Sequence, residues 1–232
     1  MQKSHQKKIK WFYIYSSQTQ YLMQKKSFEE YYFQFKNIKD FFDFIPIKNN
    51  YSKDSKNFQV KSESIVKMKE YLYNNEFFFF TDLDTFFDFN NINIEFFYNL
   101  LLNHSAKNQR IIHYEFSPFS ETIQKGNGYG LGAQYFFLKK EDINIFEKYF
   151  YKKKEKFEMD DERWLYFLYK EKPKCFFAFK GNHFSNKYVL SKITHPRYKK
   201  FYSLSKIILY YTDINQTIPL KEAIESNGEE YG

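Results

Sequence analysis

Three groups of residues in this chain have types and spacing suited to chemistry. Asp82-Leu83-Asp84 follows directly on the apolar run Phe77-Phe78-Phe79-Phe80-Thr81. Two carboxylates at i and i+2 beyond a strand supply the oxygen ligands that a hard divalent cation prefers. Such a cation can bridge a diphosphate and neutralise charge on a leaving group; the same pair also suits an exposed turn. Asp160-Asp161-Glu162 is the second group, ahead of a helical pattern. There carboxylates cap free N–H groups and complement the helix dipole, or one acts as general base toward a hydroxyl. The third group is glycine: four of the seven glycines lie between 126 and 132, including Gly128, Gly130 and Gly132 around Tyr129. In a glycine-poor chain that clustering calls for unusual dihedrals, a close approach by another molecule, or a flexible hairpin. It matches neither a Walker loop nor a Rossmann fingerprint. Of the five histidines, His183 and His195 follow the acidic cluster and are candidate ligands, since imidazole is a common one; a lone histidine is more often structural or exposed.

The elements that must position these groups can be read from pattern. Residues 9–15 form an apolar strand that ends at Ser16-Ser17-Gln18. A helix is expected over 20–36 and a polar loop over 48–57. Ile65, Met68 and Leu72 set a helical stripe over 62–75, with Ser62 or Ser64 as its cap. Residues 76–81 read as a strand covered on both faces. A helix over 95–102, strands over 110–116 and 133–138, helices over 141–157 and 161–172 and a strand over 175–180 follow. Cys175 reads as a buried residue of that last strand. The pattern from Tyr198 to Tyr211 assigns no element. Helices alternating with apolar strands make an α/β layer fold of one domain over 1–232, its halves about 1–90 and 91–197 with a tail from 198.

Composition narrows the classes. The chain has 232 residues, 43% of them hydrophobic, which supports one packed core. Thirty Phe and 22 Tyr beside abundant Lys, Asn and Ile are read as composition, so aromatics alone assign no function. The net charge of +8 suits phosphorylated substrates, nucleic acid or an anionic membrane face, but the lysines are scattered and no nucleic-acid motif accompanies them. One cysteine excludes an intramolecular disulfide framework. The polar, basic start lacks a secretory signal's apolar region, and a cytoplasmic location is expected. The basic, aromatic tail offers contact with the inner face of a membrane, against the alternative of a packed terminal element.

The order of these parts resembles the GT-A family of nucleotide-sugar glycosyltransferases. Phe77 to Asp84 is similar to its strand and DxD motif, Gly126 to Ala133 to its glycine-containing acceptor segment, and Asp161-Glu162-Arg163-Trp164-Leu165 to its acidic helix start. The resemblance covers roughly 9–196. It implies a Rossmann-like single domain with a mostly parallel sheet flanked by helices, a nucleotide-diphosphate sugar donor, and a Mn²⁺ or Mg²⁺ ion. Asp84 would be the main metal ligand, Asp82 would touch the donor or the metal, and His183 or His195 would complete the shell. Asp161 would be the base, with Asp160 and Glu162 as competitors. Ser16, Ser17 and Gln18 would lie near the nucleotide, and Lys61 or Lys67 near the phosphates. The acceptor would be a glycan, lipid-linked or protein hydroxyl, and transfer would invert the anomeric carbon.

Two rival readings share these residues. A phosphatase of the haloacid dehalogenase type also sets Asp-x-Asp after an apolar strand, but Phe86 occupies the position where that family places Thr. A basic module binding nucleic acid, or an inactive transferase-like domain, needs no catalytic group at all.

Overall fold

Four consecutive phenylalanines can be buried together only if both faces of their strand are covered, and that condition organises the architecture. The structure is a computed structural model and describes residues 7–49, 57–83, 85–87, 89–114, 131–152, 161–179, 184–185, 208–210 and 216–229. The chain runs β1 (Ile9–Tyr15), α1 (Thr19–Phe33), α2 (Ile38–Phe41), β2 (Phe42–Lys48), α3 (Asn57–Met68), β3 (Phe77–Thr81), β4 (Thr85–Phe87), α4 (Ile94–Ala106), β5 (Arg110–Tyr114) and β6 (Leu131–Lys139). It continues with α5 (Lys140–Lys152), α6 (Asp161–Glu171), β7 (Phe176–Phe179), β8 (Phe184–Ser185), β9 (Ile208–Tyr210), β10 (Thr217–Pro219) and α7 (Leu220–Glu229).

Among the described residues, seven strands form one sheet in the order β10-β7-β5-β6-β3-β1-β2. β1 pairs in parallel with β2 and β3, and β5 in parallel with β7. β6 runs against both β3 and β5, and β10 against β7. The sheet is mostly parallel in strand direction, as an α/β pattern requires: β1, β2, β3, β5 and β7 run one way, and β6 and β10 the other. A second, small sheet joins β4, β9 and β8.

Alternation sorts the side chains. Trp11, Tyr13, Phe77 and Phe79 bury against Phe28 and Tyr32 of α1 and Phe97 and Leu101 of α4. Phe12, Phe78 and Phe80 bury on the opposite face with Ile65 of α3, Phe146 of α5, Trp164 of α6 and Leu220 of α7. The aromatics thus fill two core layers in edge and offset contacts, such as Trp11 on Phe79 at 4.8 Å between ring centroids. No helix among the described residues is long and apolar enough to cross a membrane.

Several boundaries differ from the sequence expectation. α3 starts at Asn57, so Ser62 and Ser64 are not caps; both are buried within the helix. A single 3₁₀ turn (Lys69–Tyr71) follows α3, and Leu72 is already extended. The expected loop over 48–57 is trimmed at both ends, since Lys48 ends β2 and Asn57 opens α3. Cys175 closes a 3₁₀ turn and is only half-buried. Gly132 belongs to β6 rather than to a glycine loop and faces His113 across a register shift in β5. α4 is marked by a side-chain cap, with Asn93 Oδ1 accepting from the Phe96 amide at 2.9 Å.

Candidate functional site

Ligands in open α/β sheets bind beyond the carboxyl ends of the parallel strands, and here β1 and β3 end side by side. The Asp82 amide donates to the Gln134 carbonyl at 2.8 Å, which carries the β3–β6 ladder one residue past the strand. The Thr85 amide then donates to the Asp82 carbonyl at 3.1 Å, closing a tight turn. The far side of that turn is fixed by α1. Tyr32 Oη donates to the Thr85 carbonyl and accepts from the Phe87 amide, at 3.2 and 3.0 Å, while Tyr31 Oη donates to the Phe87 carbonyl at 2.7 Å. Burial holds the Tyr32 phenol well above its ordinary range, so it remains a donor. The near side is fixed by Trp11, whose Nε1 donates to Thr81 Oγ1 at 2.8 Å in the core.

The second acidic motif reaches the same edge on α6. Trp164, on the first turn of that helix, packs on Phe136 and Phe146 and donates Nε1 to the Asp142 carbonyl at 3.1 Å. Asp142 is itself pinned: its two oxygens take Nε and Nη2 of buried Arg110, both at 3.1 Å, and one also accepts the Lys139 amide at 2.9 Å. This buried fork ties α5 to β5 and sets where α6 can begin.

Lys61, on the second turn of α3, joins the two motifs. Its Nζ lies 2.9 Å from Asp82 Oδ1 and 2.6 Å from Asp161 Oδ2. Its ammonium also stands 5.5 Å from the centre of the Phe80 ring. Burial works to lower the lysine pKa, but the Asp161 and then the Asp82 carboxylate outweigh it and hold the group above the ordinary lysine range. Lys61 is therefore charged. Asp161 is nine-tenths buried, and its Oδ2 accepts no hydrogen bond apart from the ionic contact with Lys61.

The remaining candidates fall as follows. Ser16 is buried at the end of β1 and accepts from the Gln18 amide at 3.4 Å; Ser17 is exposed and Gln18 half-buried. Both stand at the sheet edge that carries Asp82. Lys67 lies six residues past Lys61, about 9 Å farther along the helix at 1.5 Å per residue, and is not brought to the carboxylates. Glu162 is in the first turn of α6. Asp84, Asp160, Gly128, Tyr129, Gly130, His183 and His195 lie outside the described residues. The sequence reading did not single out His113, which is buried near the carboxyl end of β5 with its ring 5.0 Å from that of Tyr135. Nor did it find the support given by Arg110, Asp142 and Trp164; only the bidentate match of Arg with Asp hints at it, and spacing does not pair them.

Among the described residues no group of three or more His, Cys, Asp or Glu is placed to hold a metal. Asp82 and Asp161 nevertheless fit part of such a shell. Both present carboxylate oxygens to one point, and among the described residues the buried Asp161 Oδ2 takes no donor other than Lys61. Lys61 supplies the positive charge at that point.

No protein-family model and no curated protein sequence matches the chain. A search of solved structures finds a glycosyltransferase involved in the glycosylation of the major capsid of PBCV-1, with a TM-score of 0.55 and 12% sequence identity over 95% of this chain and 100% of that one. At that identity the likeness concerns the fold. The chain shares the α/β, Rossmann-like fold of that protein.

Proposed function

We propose that this chain is a glycosyltransferase that moves a sugar from a nucleotide-diphosphate donor to a hydroxyl acceptor. The observation that carries the reading is the meeting of Asp82 and Asp161 on Lys61 at the carboxyl edge of the sheet. The fold shared with a known glycosyltransferase favours this reading over a phosphatase.

The nucleotide lies against Ser16, Ser17 and Gln18 at the end of β1. Its diphosphate extends toward Lys61, an ammonium suited to phosphate oxygens. Asp82, with Asp84 two positions on in the sequence, would hold a Mn²⁺ or Mg²⁺ ion, and His183 or His195 would add an imidazole. When bound, that ion supplies positive charge to the departing nucleoside diphosphate. Asp161 takes the proton of the acceptor hydroxyl, with Asp160 and Glu162 as neighbours able to replace it. Direct displacement by the hydroxyl inverts the anomeric carbon. Gly128, Tyr129, Gly130 and Gly132 flank the acceptor. The acceptor is a glycan, a lipid-linked saccharide or a protein hydroxyl, and the site acts on the cytoplasmic side.

The test is release of nucleoside diphosphate from UDP-, GDP- and CDP-linked sugars, with saccharide acceptors and with Mn²⁺ or Mg²⁺ present. One donor class should be consumed, and Asp161→Asn should slow turnover by roughly 10²-fold or more, as loss of a general base does. The absence of sugar transfer from every donor class would overturn the reading. Retention at the anomeric carbon of the product would overturn the role given to Asp161.

A further inference from the structure

The ion pairs of Lys61 join groups that the proposed reaction needs apart. Asp82 belongs to the metal side and Asp161 to the proton-accepting side, yet one ammonium lies 2.9 Å from the first and 2.6 Å from the second. A divalent cation on Asp82 would stand within a few ångströms of that ammonium and be repelled by it, strongly so at a partly buried site. Asp161 Oδ2 is buried and held by the Lys61 ammonium at 2.6 Å, so while the pair stands a hydroxyl must compete with it for the same oxygen. Lys61 itself is not locked in. Its side chain keeps 23% of its exposure, its stem is flexible, and its three N–H donors suit phosphate oxygens as well as carboxylates.

We propose that Lys61 is an electrostatic latch. It closes Asp82 and Asp161 together in the ligand-free protein. It moves onto the diphosphate of the incoming donor, which opens Asp82 to a divalent cation and Asp161 to the acceptor hydroxyl. This rests on the transferase reading given above and adds an order to it, since the cation and the diphosphate then strengthen each other's binding reciprocally. No bond is made or broken in the latch step; one ammonium exchanges carboxylate partners for phosphate oxygens.

The experiment uses the whole chain and two probes. Binding of Mn²⁺ alone is followed by electron paramagnetic resonance of the free ion. Binding of inorganic pyrophosphate in metal-free buffer is followed by calorimetry. Lys61→Met should bind Mn²⁺ at least about tenfold more tightly than the native chain, because one close positive charge is gone. The same variant should bind pyrophosphate at least about tenfold more weakly. Lys61→Arg, which keeps the charge, should leave Mn²⁺ binding weak, and Lys61→Met combined with Asp82→Asn should lose the gain. If Lys61→Met does not fold, judged by circular dichroism, Lys61→Gln carries the comparison. Equal Mn²⁺ affinity in the native chain and the neutral variant overturns the latch, and so does unchanged pyrophosphate affinity. Pyrophosphate carries the diphosphate without the nucleoside, so the two readings fail separately. A chain that transfers no sugar can still show the latch, and an active transferase can lack it.

Discussion

Replacing Asp142 by Ala tests how the second acidic motif is held in place. Asp142 and Arg110 are each only 3% exposed at the side chain, and two contacts of 3.1 Å join them. The Arg110 Nη1 donates to the Asn108 carbonyl at 2.6 Å, so the guanidinium cannot turn out to water without losing that bond as well. Removing the carboxylate leaves a buried cation with one fewer partner and strips the Lys139 amide of its acceptor. Breaking a buried pair from one side costs about 3–5 kcal/mol. For a chain of this size each kcal/mol moves the melting temperature by roughly 2–4 °C, so a fall of roughly 6–20 °C is expected. Urea unfolding followed by circular dichroism measures the loss directly. Removing both partners, as Arg110→Leu with Asp142→Leu, should recover most of it, because an apolar pair replaces a buried ion pair at little cost. A loss below about 1 kcal/mol in Asp142→Ala, or no recovery in the double variant, would refute this account of the fork.

Two further predictions concern the same framework. Thr81→Val removes the hydroxyl that accepts from the buried Trp11 indole and should cost about 1–3 kcal/mol in urea unfolding; an unchanged midpoint would show that this bond does not hold β1 to β3. His104 is pushed down to about 4, chiefly by burial and secondarily by the Lys107 charge, and His113 to about 3 by burial. Each is neutral in the fold and binds a proton more readily when unfolded, so its contribution is complete above an unfolded pKa of about 6.5. It is lost as pH falls from there toward 4 for His104 and toward 3 for His113, by up to about 1.4 kcal/mol per pH unit for each histidine. His104→Gln should therefore flatten the fall in urea midpoint between pH 6.5 and 4.5, and an unaltered slope would show that His104 does not carry it.

The parts of the fold that the sequence revealed are those where a single local pattern decides the outcome. The run Phe77 to Phe80 admits only a strand covered on both faces, and the stripe of Ile65 and Met68 admits only a helix packed on one side. β2 stayed hidden because Pro46 interrupts Phe42–Lys48. It is tolerated there because β2 is the edge of the sheet, where a missing donor can face outward. β4 has only three residues, pairs with the distant β9 and is held by Tyr31 and Tyr32, more than fifty positions away. At the site, the two acidic motifs were legible as carboxylates after a strand and at a helix start. Their union was not. It depends on Lys61, on a helix whose start the serines at 62 and 64 obscured, and on α6 being set by Arg110, Asp142 and Trp164, contacts that no local spacing encodes.

The central claim is that the carboxyl edge around Asp82, Lys61 and Asp161 receives a nucleotide-diphosphate sugar. The most direct measurement is calorimetric binding of UDP, GDP and CDP to the native chain, with and without Mn²⁺, repeated with Asp82→Asn and Lys61→Met. The account predicts that one nucleoside diphosphate binds, that Mn²⁺ tightens it, and that both substitutions weaken it. Binding of none of the three, or binding untouched by both substitutions, would contradict it.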